Sequence, residues 1–164
     1  MSFVLDQAVV YPMQGVGKIK NIQNKEFNGE FIDYYEIYFP FNEMTFMVPV
    51  ARAADLGIRA LVSKEKVEEV FDIIKDFEGQ IDQKKIKDGS HDFYKQSDIL
   101  STAKLYKFLY VKSMQKELPF YEKRILNDFE LILQHEISLA LQISFEEAKE
   151  KIREVLSGGQ AVLD

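Results

Sequence analysis

The chain has 164 residues, a net charge of −6, 46% apolar side chains, no cysteine and no tryptophan. That length and apolar content suit one ordinary domain or two small ones and exclude a chain that is disordered throughout. The missing cysteines exclude a disulfide framework and any thiolate site, and the acidic balance argues against a general nucleic-acid binder.

The first residues, Met1-Ser-Phe-Val-Leu-Asp6, carry no basic region and only a short apolar run, so neither a signal peptide nor a membrane span is expected. Val9, Val10 and Tyr11 favour a strand that Pro12 ends, because proline fixes φ and lacks a ladder donor. Gly15 and Gly17 allow a sharp reversal, and a second strand runs from Val16 to Ile22. Asn28-Gly29 is a strong type I′ hairpin signal. In Phe31 to Phe39 the alternation puts Tyr35, Ile37 and Phe39 on one face and Tyr34, Glu36 and Tyr38 on the other. A turn follows at Pro40 to Glu43. In the strand Met44 to Pro49, Met44, Phe46 and Val48 share a face, and Thr45 and Met47 point the other way. Pro49 ends that strand or marks an edge. A fifth strand near Leu56 to Arg59 completes an SH3- or Tudor-like β-barrel.

From Ser63 the apolar period becomes helical. Val67, Val70, Phe71, Ile74 and Phe77 form one stripe, with Ser63 as N-cap and Gly79 as the stop. Lys84 to Ser97 reads as an interrupted helix or a loop and a short helix. Asp98 caps the next helix, whose buried stripe is Ile99, Thr102, Leu105, Tyr106 and Leu109. Pro119 opens a helix running to about Leu141, with Ile125, Phe129, Ile132 and Leu133 at helical spacing. Ser144-Phe-Glu-Glu147 is a capping box, and the last helix ends by Gly158-Gly159. The architecture expected is α+β: residues 1–60 as the barrel, and residues 61–164 as a bundle of four or five helices.

Little in this pattern speaks of catalysis. His91 and His135 lie far apart and read as surface or packing residues, and no phosphate loop, metal motif or nucleophile elbow appears. No enzyme activity, cofactor or metal site is expected. The charge is unevenly spread instead: residues 84–124 carry a net +5, between 61–83 at −4 and 125–164 at −5. Solvated helix faces would explain this, and so would one anion-facing surface. The cations of interest are Lys84, Lys85 and Lys87, then Lys123 and Arg124, with Phe93, Tyr94, Tyr106, Tyr110, Phe120 and Tyr121 interleaved. In the barrel, the Met44 to Pro49 strand is the candidate edge for accepting a partner's strand.

Val9-Val-Tyr-Pro12, Gly15-Val-Gly17, Val48-Pro49, Leu56-Gly-Ile-Arg59 and Glu122-Lys-Arg-Ile-Leu126 stand in an order that resembles the CarD/CdnL transcription regulators of bacteria. The resemblance spans residues 3 to about 156, and the β-module also looks like the polymerase-binding domain of the transcription-repair coupling factor. It implies a cytoplasmic, non-enzymatic protein. The barrel would dock on the RNA polymerase β subunit, strand to strand, through Lys25, Phe46, Met47, Val48 and Pro49. The helical part would touch promoter DNA at the upstream edge of the bubble through Gln83, Lys84, Lys85, Lys87, Lys123 and Arg124. The chain is expected to be a monomer. Family members usually carry a tryptophan wedge where Gln83 stands, so here the wedge is lost or falls to Phe93 or Tyr94. Many also have arginine at the position of Met47. An interaction-only adaptor that never touches DNA is the alternative reading.

Overall fold

A computed structural model of the chain describes residues 2–11, 14–81 and 98–158. They fall into two compact units that divide after Leu61. The first unit is a five-stranded antiparallel sheet with the strands Ala8–Tyr11 (β1), Gly15–Phe27 (β2), Glu30–Phe39 (β3), Met44–Pro49 (β4) and Arg59–Ala60 (β5). Their spatial order is β4-β3-β2-β1-β5, a Tudor-like meander with β5 returning to β1. A 3₁₀ turn at Val50–Arg52 leads from β4 towards β5.

Asn28 and Gly29 have φ of 52° and 82°, so the β2–β3 hairpin has the two positive dihedrals of a type I′ turn. The core face carries Val9, Ile19, Tyr35, Ile37, Phe39 and Val48, closed by Phe3, Ala53 and Ile58. The buried Tyr35 hydroxyl accepts a 2.9 Å bond from the Phe3 amide and so ties the N-terminal segment to the sheet.

Strand boundaries differ from the sequence expectation at β2 and β5. β2 runs on to Phe27, five residues past Ile22, because β3 supplies it with a partner as far as the hairpin. A register shift between Ile19 and Asn21 lets that long strand bend. β5 starts only at Arg59, because Gly57, with φ of 81°, is still turning the chain. Gly15 has the positive φ of a reversal, at 89°, whereas Gly17 serves close approach: a Cβ there would meet the Phe39 ring at 2.7 Å. Pro12 lies outside the described residues. The Gln14 amide donates to the Tyr11 carbonyl at 2.8 Å.

The second unit holds four helices among its described residues: Lys64–Asp76 (α1), Ile99–Gln115 (α2), Phe120–Leu141 (α3) and Phe145–Leu156 (α4). Ser63, Asp98 and Ser144 each accept a backbone N–H from three residues on, satisfying one orphan donor apiece. α1 stops at Asp76, three residues before Gly79, where Phe77 turns to extended dihedrals. α3 ends on Gln142 in the left-handed region, with φ of 56°.

α2 packs between α1 and α3, while α4 packs on both α3 and α1, closing the bundle. Val67, Val70 and Ile74 of α1 and Leu105, Tyr106 and Leu109 of α2 are buried in this core, with Phe129, Leu133, Ile137, Ala148 and Ile152. No helix among the described residues is long and apolar enough to cross a membrane.

Candidate functional site

Each unit presents one surface of interest. In the first, β4 is the outermost strand, so alternate backbone groups of Met44–Pro49 face away from β3. Its side chains divide by register. Phe46 pairs with Ile37 and Val48 with Tyr35, so both turn to the core face; Val48 is buried and Phe46 half-buried. Phe46 makes an edge contact with Phe39, ring centroids 5.5 Å apart. Met47 and Pro49 pair with Glu36 and Tyr34 on the opposite, outer face.

Lys25 shares that outer face. It pairs with Ile32, two residues from Tyr34, and its side chain is exposed. Of the five barrel residues picked from the sequence, Lys25, Met47 and Pro49 can thus meet a partner through their side chains. Phe46 and Val48 can do so only through backbone. The outer face continues along β3 from Met47 and Pro49 through Tyr34 and Ile32 to Phe27, 60% exposed at the hairpin end. Phe27 was not singled out by sequence reading, since nothing local tells a strand residue that its neighbour strand has stopped.

In the helical unit, Gln83, Lys84, Lys85 and Lys87 lie outside the described residues, as do Phe93 and Tyr94. Lys123 and Arg124 are exposed in the first turns of α3. Lys123 bonds Glu117 at 2.9 Å across the α2–α3 connection, and that ammonium holds the Glu117 carboxyl below its usual range. Arg124 and Lys116 have no charged partner among the described residues, and both are exposed.

Not every lysine of the basic stretch reaches the surface. Lys112 turns inward and bonds both carboxylate oxygens of Glu122, at 2.9 and 3.0 Å. Glu122 is only 1% exposed, so this pair is a structural tie between α2 and α3 and takes no part in an anion-facing surface. Tyr106 is core, as its spacing predicts. Its hydroxyl donates to Glu130 at 3.0 Å, and burial together with that carboxylate pushes its pKa upward. His135 is a packing residue, its ring against Phe145 at 4.6 Å. No group of His, Asp and Glu among the described residues is placed to hold a metal ion.

The aromatics divide sharply. Tyr121 is 37% exposed, whereas Phe120 is 82% exposed, the most exposed of the large apolar side chains among the described residues.

Residues 3–62 match the family model described as the CarD-like/TRCF RID domain, and residues 69–153 match the CarD C-terminal domain. The chain belongs to the CarD-like family. Among its relatives is a Bacillus subtilis (strain 168) protein named "Putative transcription factor YdeB", 28% identical over 134 residues, covering 80% of this chain and 88% of that protein. Both halves of the CarD-like arrangement are therefore present in one chain, the sheet with its open edge first and the helices after it.

Proposed function

We propose that this CarD-like protein is a non-enzymatic transcription regulator that docks on RNA polymerase through its β unit and contacts promoter DNA through its helical unit. The observation that carries the reading is the joint match of both family domains to a chain whose β4 edge has no second strand partner among the described residues. An unpaired edge accepts a strand: backbone bonds supply affinity, and flanking side chains set the partner. Lys25, Met47 and Pro49 are the side chains assigned to that docking, on the β subunit of polymerase.

The helical unit is assigned to the upstream edge of the promoter bubble, through Lys84, Lys85, Lys87, Lys123 and Arg124 beside Gln83. Contacts made only with melted promoter shift the closed–open equilibrium toward open. A surplus of about 1.4 kcal/mol shifts it tenfold. Phosphate contacts release counterions, so the effect weakens as salt rises.

A second reading, an adaptor that docks without touching DNA, is favoured by the net charge of −6 and by the inward turn of Lys112. One experiment separates the two. The full chain is tested for capture by purified core RNA polymerase and for its effect on open-complex lifetime at two salt concentrations. Capture with a salt-sensitive lifetime effect supports the first reading; capture with none supports the adaptor. Failure of capture overturns both.

A further inference from the structure

The chain has no cysteine, so its only sulfur atoms are the thioethers of five methionines. Three of the five are among the described residues, and all three are exposed: Met44, Met47 and Met114. Met114 lies on the last turn of α2, but Met44 and Met47 both belong to β4. The alternation of the strand separates these two. Met44 pairs with Phe39, on the side of the sheet that holds the core, whereas Met47 pairs with Glu36 on the outer face. Met47 therefore stands on the face that carries Lys25 and Pro49, on the outermost strand of the sheet. At 39% exposure its side chain meets solvent in the free chain, and a partner lying on this face covers it.

A solvent-exposed thioether reacts with hydrogen peroxide. A sulfur lone pair attacks one peroxide oxygen, an S–O bond forms and the O–O bond breaks. The leaving hydroxide takes the proton of the transferred oxygen and departs as water. Sulfur gives up two electrons, and the peroxide accepts them. The product, methionine sulfoxide, is polar where the thioether was apolar, and sulfoxide reductases reverse the change. The cross-strand neighbour does not satisfy the new group: a sulfoxide oxygen only accepts hydrogen bonds, and so does the Glu36 carboxylate, whose Oε2 already accepts the Gln23 side-chain amide at 3.2 Å. The sulfoxide oxygen keeps its water in the free chain, and docking against β4 strips that water away at a cost. We propose that Met47 is a peroxide-sensitive modification site whose oxidation to the sulfoxide reversibly weakens docking. The proposal rests on the reading that this face docks on RNA polymerase, and adds to it a means of regulation. Oxidation of Met44 or Met114 leaves the outer face of the sheet unchanged.

The test treats the full chain with hydrogen peroxide, removes the oxidant, and measures affinity for purified core RNA polymerase. Peptide mass spectrometry reports the sulfoxide at each methionine. Oxidation of Met47 is expected, with affinity lowered about tenfold, the scale of covering one polar group without a hydrogen bond. Methionine sulfoxide reductases of both stereospecificities should restore it. The readout for variants is the ratio of treated to untreated affinity. Met47→Leu should bring that ratio close to one, whereas Met44→Leu and Met114→Leu should keep the loss. Treatment of the preformed complex should spare Met47. Undiminished affinity of a chain fully oxidised at Met47 overturns the proposal, as does an equal loss in Met47→Leu. A lowered unfolding midpoint after treatment would assign the loss to general damage and overturn it too. No capture of the untreated chain overturns the docking reading itself, whereas capture that ignores peroxide overturns the proposed modification alone.

Discussion

Lys112 and Glu122 stand ten residues apart on different helices, yet the ammonium lies within 3.0 Å of both carboxylate oxygens. The carboxylate is fully enclosed and the lysine nearly so. Each charge is tolerable inside the bundle only because the other is there. Removing Glu122 alone, as Glu122→Leu, is expected to cost about 3–5 kcal/mol, because Lys112 is left charged and unpaired. The double variant Lys112→Met/Glu122→Leu should recover most of that loss. Urea unfolding of the four proteins closes the cycle. Additive losses would show that the two groups do not depend on each other.

Gly17 lies against Phe39. A methyl group at that position would sit 2.7 Å from two ring carbons and 2.9 Å from the Tyr38 carbonyl oxygen. The ring can shift only by disturbing its packing with Tyr11 and Phe46, and the carbonyl belongs to the sheet. Gly17→Ala is therefore expected to destabilise the β unit by about 1–3 kcal/mol, the usual range for overpacking a filled core. Thermal unfolding monitored by a probe in the sheet gives the number, and an unchanged midpoint would contradict the close approach.

Burial holds the His135 pKa below the ordinary value of 6.5. The folded protein thus takes up its proton at lower pH than the unfolded chain does. The stability contributed by the neutral ring is complete above about pH 6.5 and is lost as pH falls from there through the folded pKa. His135→Leu should flatten the slope of stability against pH in that window. Chemical denaturation from pH 8 to pH 5 compares the two proteins. Equal slopes would mean that the ring is wetter than its contact with Phe145 implies.

Met47 and Val48 are adjacent, but they predict opposite phenotypes. Met47 is on the outer face at 39% exposure, and Val48 is in the core at 4%. Met47→Asp should leave the unfolding midpoint near wild type and weaken polymerase capture about tenfold, a loss near 1.4 kcal/mol. Lys25→Glu should act in the same direction. Val48→Ala should instead lower stability, with capture reduced only as far as the folded fraction falls. Wild-type capture by Met47→Asp would remove this face from the docking surface.

The local signals in this sequence were reliable because each of them is settled within a few residues. The Asn28-Gly29 pair needs only its own dihedrals, and Ser63, Asp98 and Ser144 each cap a donor three residues away. The alternation from Phe31 to Phe39 and the helical stripe from Ile99 to Leu109 predicted which faces are buried, because backbone periodicity alone decides which residues share a side. The order of motifs was enough to point to the CarD-like family.

The candidate surfaces were legible only in outline. The net charge of residues 84–124 includes Lys112, but the packing of α2 on α3 turns it toward Glu122. Spacing could not tell Gly15, which turns the chain, from Gly17, which makes room for Phe39. Nor could it show that pairing with β3 leaves Met47 on the outer face of an edge strand, or that Phe120 stands exposed. Secondary structure and the inward faces follow from neighbours in sequence. Charge pairing, close approach and exposure depend on residues brought together from distant parts of the chain, and only the tertiary structure decides which ones meet.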